Sequence, residues 1–107
     1  MNKSQIEKCK KIIDYYKWGH QSIKLIEEMS ELAIAITKIQ IRPYERAFNS
    51  DIPDDLLHNY WEEIADVLII LEQLIQNEGD DAKKYIKRMI TYKLDRQLER
   101  IKNEQGL

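Results

Sequence analysis

Two short acidic segments carry the side chains best suited to chemistry. Glu28 and Glu31 are three residues apart in the first segment, and Glu63 and Asp66 are three residues apart in the second. On a helix, residues with this spacing lie on one face, with Cβ atoms about 5–6 Å apart. Each segment therefore presents two carboxylates side by side, if both segments are helical.

The neighbours of these acids are apolar. Asp66 is followed by the apolar run 67–71, and Glu31 directly precedes the apolar run 32–36. A carboxylate among apolar neighbours loses hydration and must be neutralised, paired or bound to a cation. Mg²⁺ prefers oxygen ligands, commonly a few carboxylates together with waters and substrate phosphates. The pattern predicts a magnesium site, and the alternative is two solvated helix faces with ordinary surface acids.

A carboxylate-bridged di-iron centre is the other metal site that a helical protein offers. Such centres place a Glu-x-x-His motif on each of two helices. The chain has two histidines, His20 and His58, and the nearest approach to the motif is the single segment from Asp55 to His58. Because the acid is of the wrong type and the motif occurs once, the sequence argues against a di-iron site.

The elements that must position the acids are helices, because apolar residues recur with helical periodicity throughout. We predict helices at about 4–18, 20–41, 53–78 and 81–103, which form an all-α four-helix bundle in one domain, 1–107. Ser4 and Glu7 match a capping box at the start, Gly19 ends the first helix, and both prolines lie in a connecting loop, 42–55. Pro53 fits the first turn of the third helix, Gly79 its end, and Asp80 the cap of the fourth.

The third predicted helix is apolar on nearly every side. We expect it to be the most buried element, with Trp61 in the core. A lone four-helix unit cannot cover so many apolar sides, so the sequence predicts a dimer or a tetramer.

Composition narrows the classes of partner and compartment. The chain has 17 Lys and Arg against 19 Asp and Glu, which gives no basic excess for a nucleic-acid polymer. Cys9 is the one cysteine, so neither an intrachain disulfide nor a thiolate metal cluster can form. The first residues lack the apolar run of a signal peptide, and the longest apolar stretch is too short for a bilayer. We expect a cytoplasmic protein with no membrane partner.

Three segments together resemble a known family, the MazG-type, all-α nucleoside triphosphate pyrophosphohydrolases. The matching residues are Trp18-Gly19-His20-Gln21, Lys24-Leu25-Ile26-Glu27-Glu28-Met29-Ser30-Glu31-Leu32 and Glu62-Glu63-Ile64-Ala65-Asp66-Val67-Leu68. The resemblance spans roughly residues 15 to 75 in motif order. The segment between residues 42 and 55 departs from it, since it is longer than in compact members of the family.

The resemblance implies a reaction and its ligands. A nucleoside or deoxynucleoside triphosphate would be hydrolysed to the monophosphate and pyrophosphate, which would remove unwanted nucleotides from the pool. The acids matching the family's magnesium ligands are Glu28, Glu31, Glu63 and Asp66, with Mn²⁺ as a substitute for Mg²⁺. Glu28 or Glu31 would act as the base toward water, and the sequence does not separate ligand from base.

Further residues are candidates for contacts with substrate. Lys24 lies one turn before Glu28 on the same helix face and can reach toward phosphate. On the fourth helix, Lys93 and Arg96 offer positive charge for phosphates, although a solvated face paired with nearby acids is the favoured explanation for either one alone. Trp18, just before the acidic helix, is a candidate for stacking on a base.

Two other functions remain open at this point. One is a non-catalytic helical interaction module, in which the acids form a surface for a basic partner. The other is a metal-binding protein without hydrolytic activity. The base, the sugar and the phosphorus atom attacked are beyond the sequence, because pocket shape decides them.

Overall fold

The computed structural model describes residues 1–40 and 52–106. Within these ranges the chain is helical and contains no strand, so the all-α prediction is confirmed. The helices are α1 (Lys3–Gln40), α2 (Asp54–Gln76) and α3 (Asp80–Gln105). The chain divides into two compact units, Met1–Asn77 and Glu78–Leu107. The first unit contains α1 and α2, and the second contains α3.

Helix α1 is broken at Lys17. This residue has φ 72° and ψ 162°, a conformation that is not helical, and it divides α1 into the segments 3–16 and 18–40. That region of backbone space is essentially reserved for glycine. Gly19, predicted to end the first helix, has no positive φ, so the break comes two residues earlier than predicted.

After the break, α1 packs antiparallel against α2. Gln21 contacts Gln73, and about two turns later on α1 Glu28 lies close to Glu63. Residue numbers along α2 therefore fall as those along α1 rise, which is the pattern of two antiparallel helices. This pairing brings the two acidic segments onto facing helices, as the sequence predicted.

The amino terminus of α1 has a capping box that differs from the predicted one. The backbone N–H of Gln5 donates to Asn2 Oδ1 at 2.8 Å, and the backbone N–H of Asn2 donates to Gln5 Oε1 at 2.8 Å. The predicted box of Ser4 and Glu7 is wrong. Asparagine is as good an N-cap as serine, so the same rule applied two residues earlier identifies the true start.

The other helix ends also differ in detail from the sequence prediction. Pro53 is the N-cap of α2 rather than part of its first turn, whereas Asp54 and Asp55 lie in that turn as predicted. Helix α2 ends at Gln76, and the N-cap of α3 is Gly79, so Asp80 lies inside α3. Residues 42–51 of the predicted loop lie outside the described residues.

The first unit has a small core. Its buried apolar residues are Cys9, Ile13, Ala35, Ile52, Val67 and Ile70, and its buried polar residues are Gln21, Glu28 and Gln73. Helix α2 is covered on one side only, because Leu68 is 53% exposed and Trp61 is 51% exposed. The predicted core position of Trp61 is therefore wrong for a single chain.

In the second unit, no residue of α3 is buried. Large apolar side chains along it are exposed: Tyr85, Ile90, Tyr92, Leu94, Leu98 and Ile101. The described helices include none with the length and apolarity that crossing a bilayer requires.

Candidate metal and substrate site

Three glutamates from two helices of the first unit lie close together. Glu28 and Glu31 come from the second segment of α1, and Glu63 comes from α2. One carboxylate oxygen of each lies within 4.8 Å of the others. Three of the four predicted metal ligands are thus brought together. Asp66 is outside this group of three and lines the adjoining cleft beside Glu28.

Glu28 is the most unusual of these acids because it is buried. Its exposure is 8%, and within the described residues its Oε2 has no hydrogen-bond partner. Glu63 Oε2 is also buried and without a partner there. A buried carboxylate oxygen with no donor costs free energy, since it has lost water and gained nothing. Both oxygens are therefore suited to a ligand that supplies positive charge.

The electrostatic environment raises the pKa of two of the acids. Burial raises the pKa of Glu63, and the negative charges of Glu31, Asp66 and Glu28 raise it further. Burial is also the largest cause of the raised pKa of Asp66, followed by the charge of Glu28. The positive charge of Lys24 offsets only part of this rise in the pKa of Asp66. Metal-free protein thus resists full ionisation of this cluster.

Lys24 is the cation that the structure places next to the acids. Its Nζ lies 3.3 Å from Glu28 Oε1 and 3.8 Å from Glu27 Oε2. The interaction with Glu28 raises the pKa of Lys24. Lys24 therefore satisfies one oxygen of Glu28 and leaves the other for a different ligand. The predicted position of Lys24 on the face of Glu28 agrees with this pairing.

A cleft of about 590 Å³ adjoins the acids, a volume within the range of small-molecule sites. Its lining includes Lys24, Glu28 and Asp66 together with the rings of Tyr16 and His20. These two rings are stacked, with centroids 4.7 Å apart and planes inclined by 16°. The aromatic pair spans the break at Lys17, so the break gives the cleft one of its walls.

Two buried glutamines, Gln21 in the lining of the cleft and Gln73 on α2, make a contact that the sequence did not predict. His20 Nδ1 lies 2.7 Å from Gln21 Oε1, and Gln21 Nε2 donates to Gln73 Oε1 at 2.6 Å. Gln73 comes from α2, where it follows Glu72 and precedes Gln76 by three residues. The available signal was its three-residue spacing from Ile70 on the buried side of the helix, where an amide needs a hydrogen-bond partner.

The remaining predicted substrate contacts lie elsewhere. Trp18 is 53% exposed and is not among the residues that line the cleft. Lys93 and Arg96 belong to α3 in the second unit and are exposed. The Arg96 guanidinium lies over the ring of Tyr92, 5.6 Å from its centroid. Of the three basic residues predicted to contact phosphate, only Lys24 lies at the site described in the first unit.

Comparison with known proteins adds no relative: no family model, curated protein or solved structure matches the chain.

Proposed function

We propose that this protein is a magnesium-dependent hydrolase that converts a nucleoside or deoxynucleoside triphosphate to the monophosphate and pyrophosphate, as part of nucleotide-pool house-cleaning. The observation that carries the proposal is the buried, unpartnered Oε2 of Glu28, next to the oxygens of Glu31 and Glu63 on facing helices. Surface acids do not need such an arrangement. The proposal extends the resemblance to MazG-type pyrophosphohydrolases, which matches the same positions.

The donor set fits Mg²⁺, with Mn²⁺ as a substitute. The cluster offers carboxylate oxygens only, which are the ligands that hard divalent cations prefer. Glu28, Glu31 and Glu63 would hold the ion, and Asp66 would complete the set. When bound, the ion would neutralise phosphate charge and lower the pKa of a coordinated water.

The protein's own residues supply positioning and proton transfer. Glu31 is exposed, so its carboxylate is accessible to water that attacks phosphorus, and it is our first candidate for the base. Glu28 is held against Lys24 and is the second candidate. Lys24 is half exposed and can turn from Glu28 to a phosphate oxygen when a cation takes over the charge of the acids.

The test is a panel of nucleoside and deoxynucleoside triphosphates with Mg²⁺, assayed for pyrophosphate and monophosphate. We expect turnover on at least one nucleotide and a fall of about 10²–10⁴-fold for Glu31→Gln. Glu72→Gln is the matched control, since it removes one carboxylate of α2 outside the cluster, and it should retain activity. No turnover on any nucleotide, or equal rates for wild type and Glu31→Gln, would refute the proposal.

The second candidate is a non-catalytic interaction module. The exposed apolar side chains favour it, since Leu68 and Trp61 on α2 lie open in the single chain. Exposed apolar patches commonly mark contacts between proteins. The same residues support a homo-oligomer, dimer or tetramer, in which a four-helix bundle would be completed. An oligomeric enzyme and an interaction module would both use this surface, so the oligomeric state does not distinguish them. Binding of Mg²⁺ does, because only the enzyme requires the cation.

Thermal unfolding with and without Mg²⁺ separates the two candidates. A ligand that binds only the folded state raises the free energy of unfolding, by about 2.7 kcal/mol when its concentration is 100 times Kd. The melting temperature rises as a result. We expect a rise for wild type and for Glu72→Gln, and a much smaller rise for Glu63→Gln. Equal melting temperatures with and without the cation would favour the module.

A further inference from the structure

A chain of three polar side chains connects the cleft with the interior of the first unit. It runs from His20 through Gln21 to Gln73, by way of contacts of 2.7 Å and 2.6 Å. His20 is exposed and lines the cleft, whereas Gln21 is 5% exposed and Gln73 is 2% exposed. An exposed ring is therefore fixed by two buried amides, one of them on the facing helix.

The direction of the hydrogen bond between Gln21 and Gln73 determines which nitrogen of a neutral His20 ring carries the hydrogen. Gln21 Nε2 donates to Gln73 Oε1, so Gln21 presents its Oε1 to His20. An amide oxygen can only accept, and His20 Nδ1 must therefore carry the hydrogen. A neutral imidazole carries one such hydrogen, which leaves Nε2 as an acceptor. The stack on Tyr16 holds the plane of the ring.

We propose that Gln21 and Gln73 are positioning residues that hold neutral His20 as the Nδ1–H tautomer, with Nε2 free to accept a hydrogen bond from a hydroxyl or amino group of a ligand in the cleft. Among the described residues, His20 makes its hydrogen bond through Nδ1. The tautomer is inferred from the contacts of His20 with Gln21 and of Gln21 with Gln73, independently of the proposed function. The identification of the ligand as the nucleotide substrate rests on the proposed function.

Nitrogen NMR of the full chain tests the tautomer directly. Long-range proton–nitrogen spectra are recorded on metal-free, ¹⁵N-labelled protein at about pH 8, where an ordinary histidine is neutral. We expect the hydrogen of His20 on Nδ1. His58, the only other histidine, is an internal reference for the spectra. A wild-type spectrum with the hydrogen of His20 on Nε2 would overturn the proposal.

Two variants of one residue test the role of the buried amides. Gln73→Met removes the acceptor for Gln21 Nε2, so the Gln21 amide can turn over and the Nε2–H tautomer of His20 should appear. Gln73→Glu keeps a carboxyl oxygen as acceptor and should retain Nδ1–H. His58 should be unchanged in both. Retention of the wild-type tautomer in folded Gln73→Met would overturn the positioning role, and if neither variant folds, the wild-type spectrum decides.

Kinetics test the contact with substrate. With a nucleotide that the wild type hydrolyses, Gln73→Met should raise KM roughly 2–10-fold, the value of one hydrogen bond, while kcat changes little. Gln73→Glu should restore KM. Unchanged KM in Gln73→Met would overturn the contact at Nε2. Absence of turnover in the wild type would refute the proposed function and this contact with it, whereas the spectra would still decide the tautomer.

Discussion

The carboxylates of Glu28, Glu31 and Glu63 are close enough to repel one another when all are ionised. The raised pKa of Glu63 reflects this repulsion together with burial. Folded protein therefore holds a proton on Glu63 at pH values where the unfolded chain has lost it. Because the folded state binds more protons, stability falls as pH rises from the ordinary value of 4.5 through the raised pKa.

Glu63→Gln should remove this loss of stability. In chelator, we expect the melting temperature of the variant to exceed that of wild type at neutral pH, because the neutral amide cannot repel its neighbours. The difference should shrink as pH falls below 4.5, where Glu63 becomes protonated in both states. Calorimetry from neutral pH to below 4.5 measures it, and Glu72→Gln, which removes a carboxylate of α2 outside the cluster, is the control. A difference independent of pH would contradict the electrostatic explanation.

At the residue scale, the sequence was sufficient to predict that acids from two helices meet, and insufficient for their surroundings. Three-residue spacing puts Glu28 and Glu31 on one helix face because helix geometry is local, and the packing of α2 on α1 adds Glu63. Asp66 follows the same spacing and yet lies beside the group, since α2 approaches α1 at an angle and a register that only packing sets. The contact of Gln21 with Gln73 joins residues 52 positions apart, and no local rule reports it.

At the scale of the element, Lys17 is the costliest residue of α1. A side chain at φ 72° and ψ 162° costs on the order of 1–3 kcal/mol, whereas glycine adopts this conformation without strain. The packing on both sides of the break must offset that cost.

Lys17→Gly should stabilise the protein by about 1 kcal/mol, after the entropy that glycine adds to the unfolded chain is subtracted. Urea denaturation measures the change. Lys11→Gly is the matched control, since Lys11 is an exposed lysine inside a helical segment of α1. There, glycine should destabilise by roughly 1 kcal/mol. A loss of stability in both variants would contradict the strained backbone.

Helix type was predictable for every described element, whereas helix ends were not. Periodicity extends over many residues and is robust, but each end depends on one or two residues that compete for the cap. The reciprocal box forms between Asn2 and Gln5, although Ser4 and Glu7 fit the same spacing rule. The break in α1 lies at Lys17 and not at Gly19. No sequence rule anticipates a lysine in that conformation.

At the scale of the whole molecule, the exposed apolar side of α2 is the basis of the predicted homo-oligomer. Trp61, Ala65 and Leu68 follow one another at spacings of four and three residues and are all exposed. Their spacing puts them on one stripe of the helix. Water around this stripe is released when another apolar surface covers it.

We expect the protein to sediment above its chain mass of 12.8 kDa. Leu68→Glu should shift sedimentation toward that mass, because a charge in a buried apolar interface has no partner. Leu68→Met keeps the apolar volume and should sediment as wild type does. Wild type that sediments as a monomer at all concentrations would contradict the proposed homo-oligomer.

Both tryptophans, Trp18 and Trp61, belong to the first unit, and the second unit has none. Tryptophan fluorescence, excited where tyrosine absorbs little, therefore reports on α1 and α2 alone, whereas circular dichroism also registers the melting of α3. Superimposed denaturation curves from the two signals would mean that the units unfold as one cooperative block, and separated curves would assign each unit its own transition.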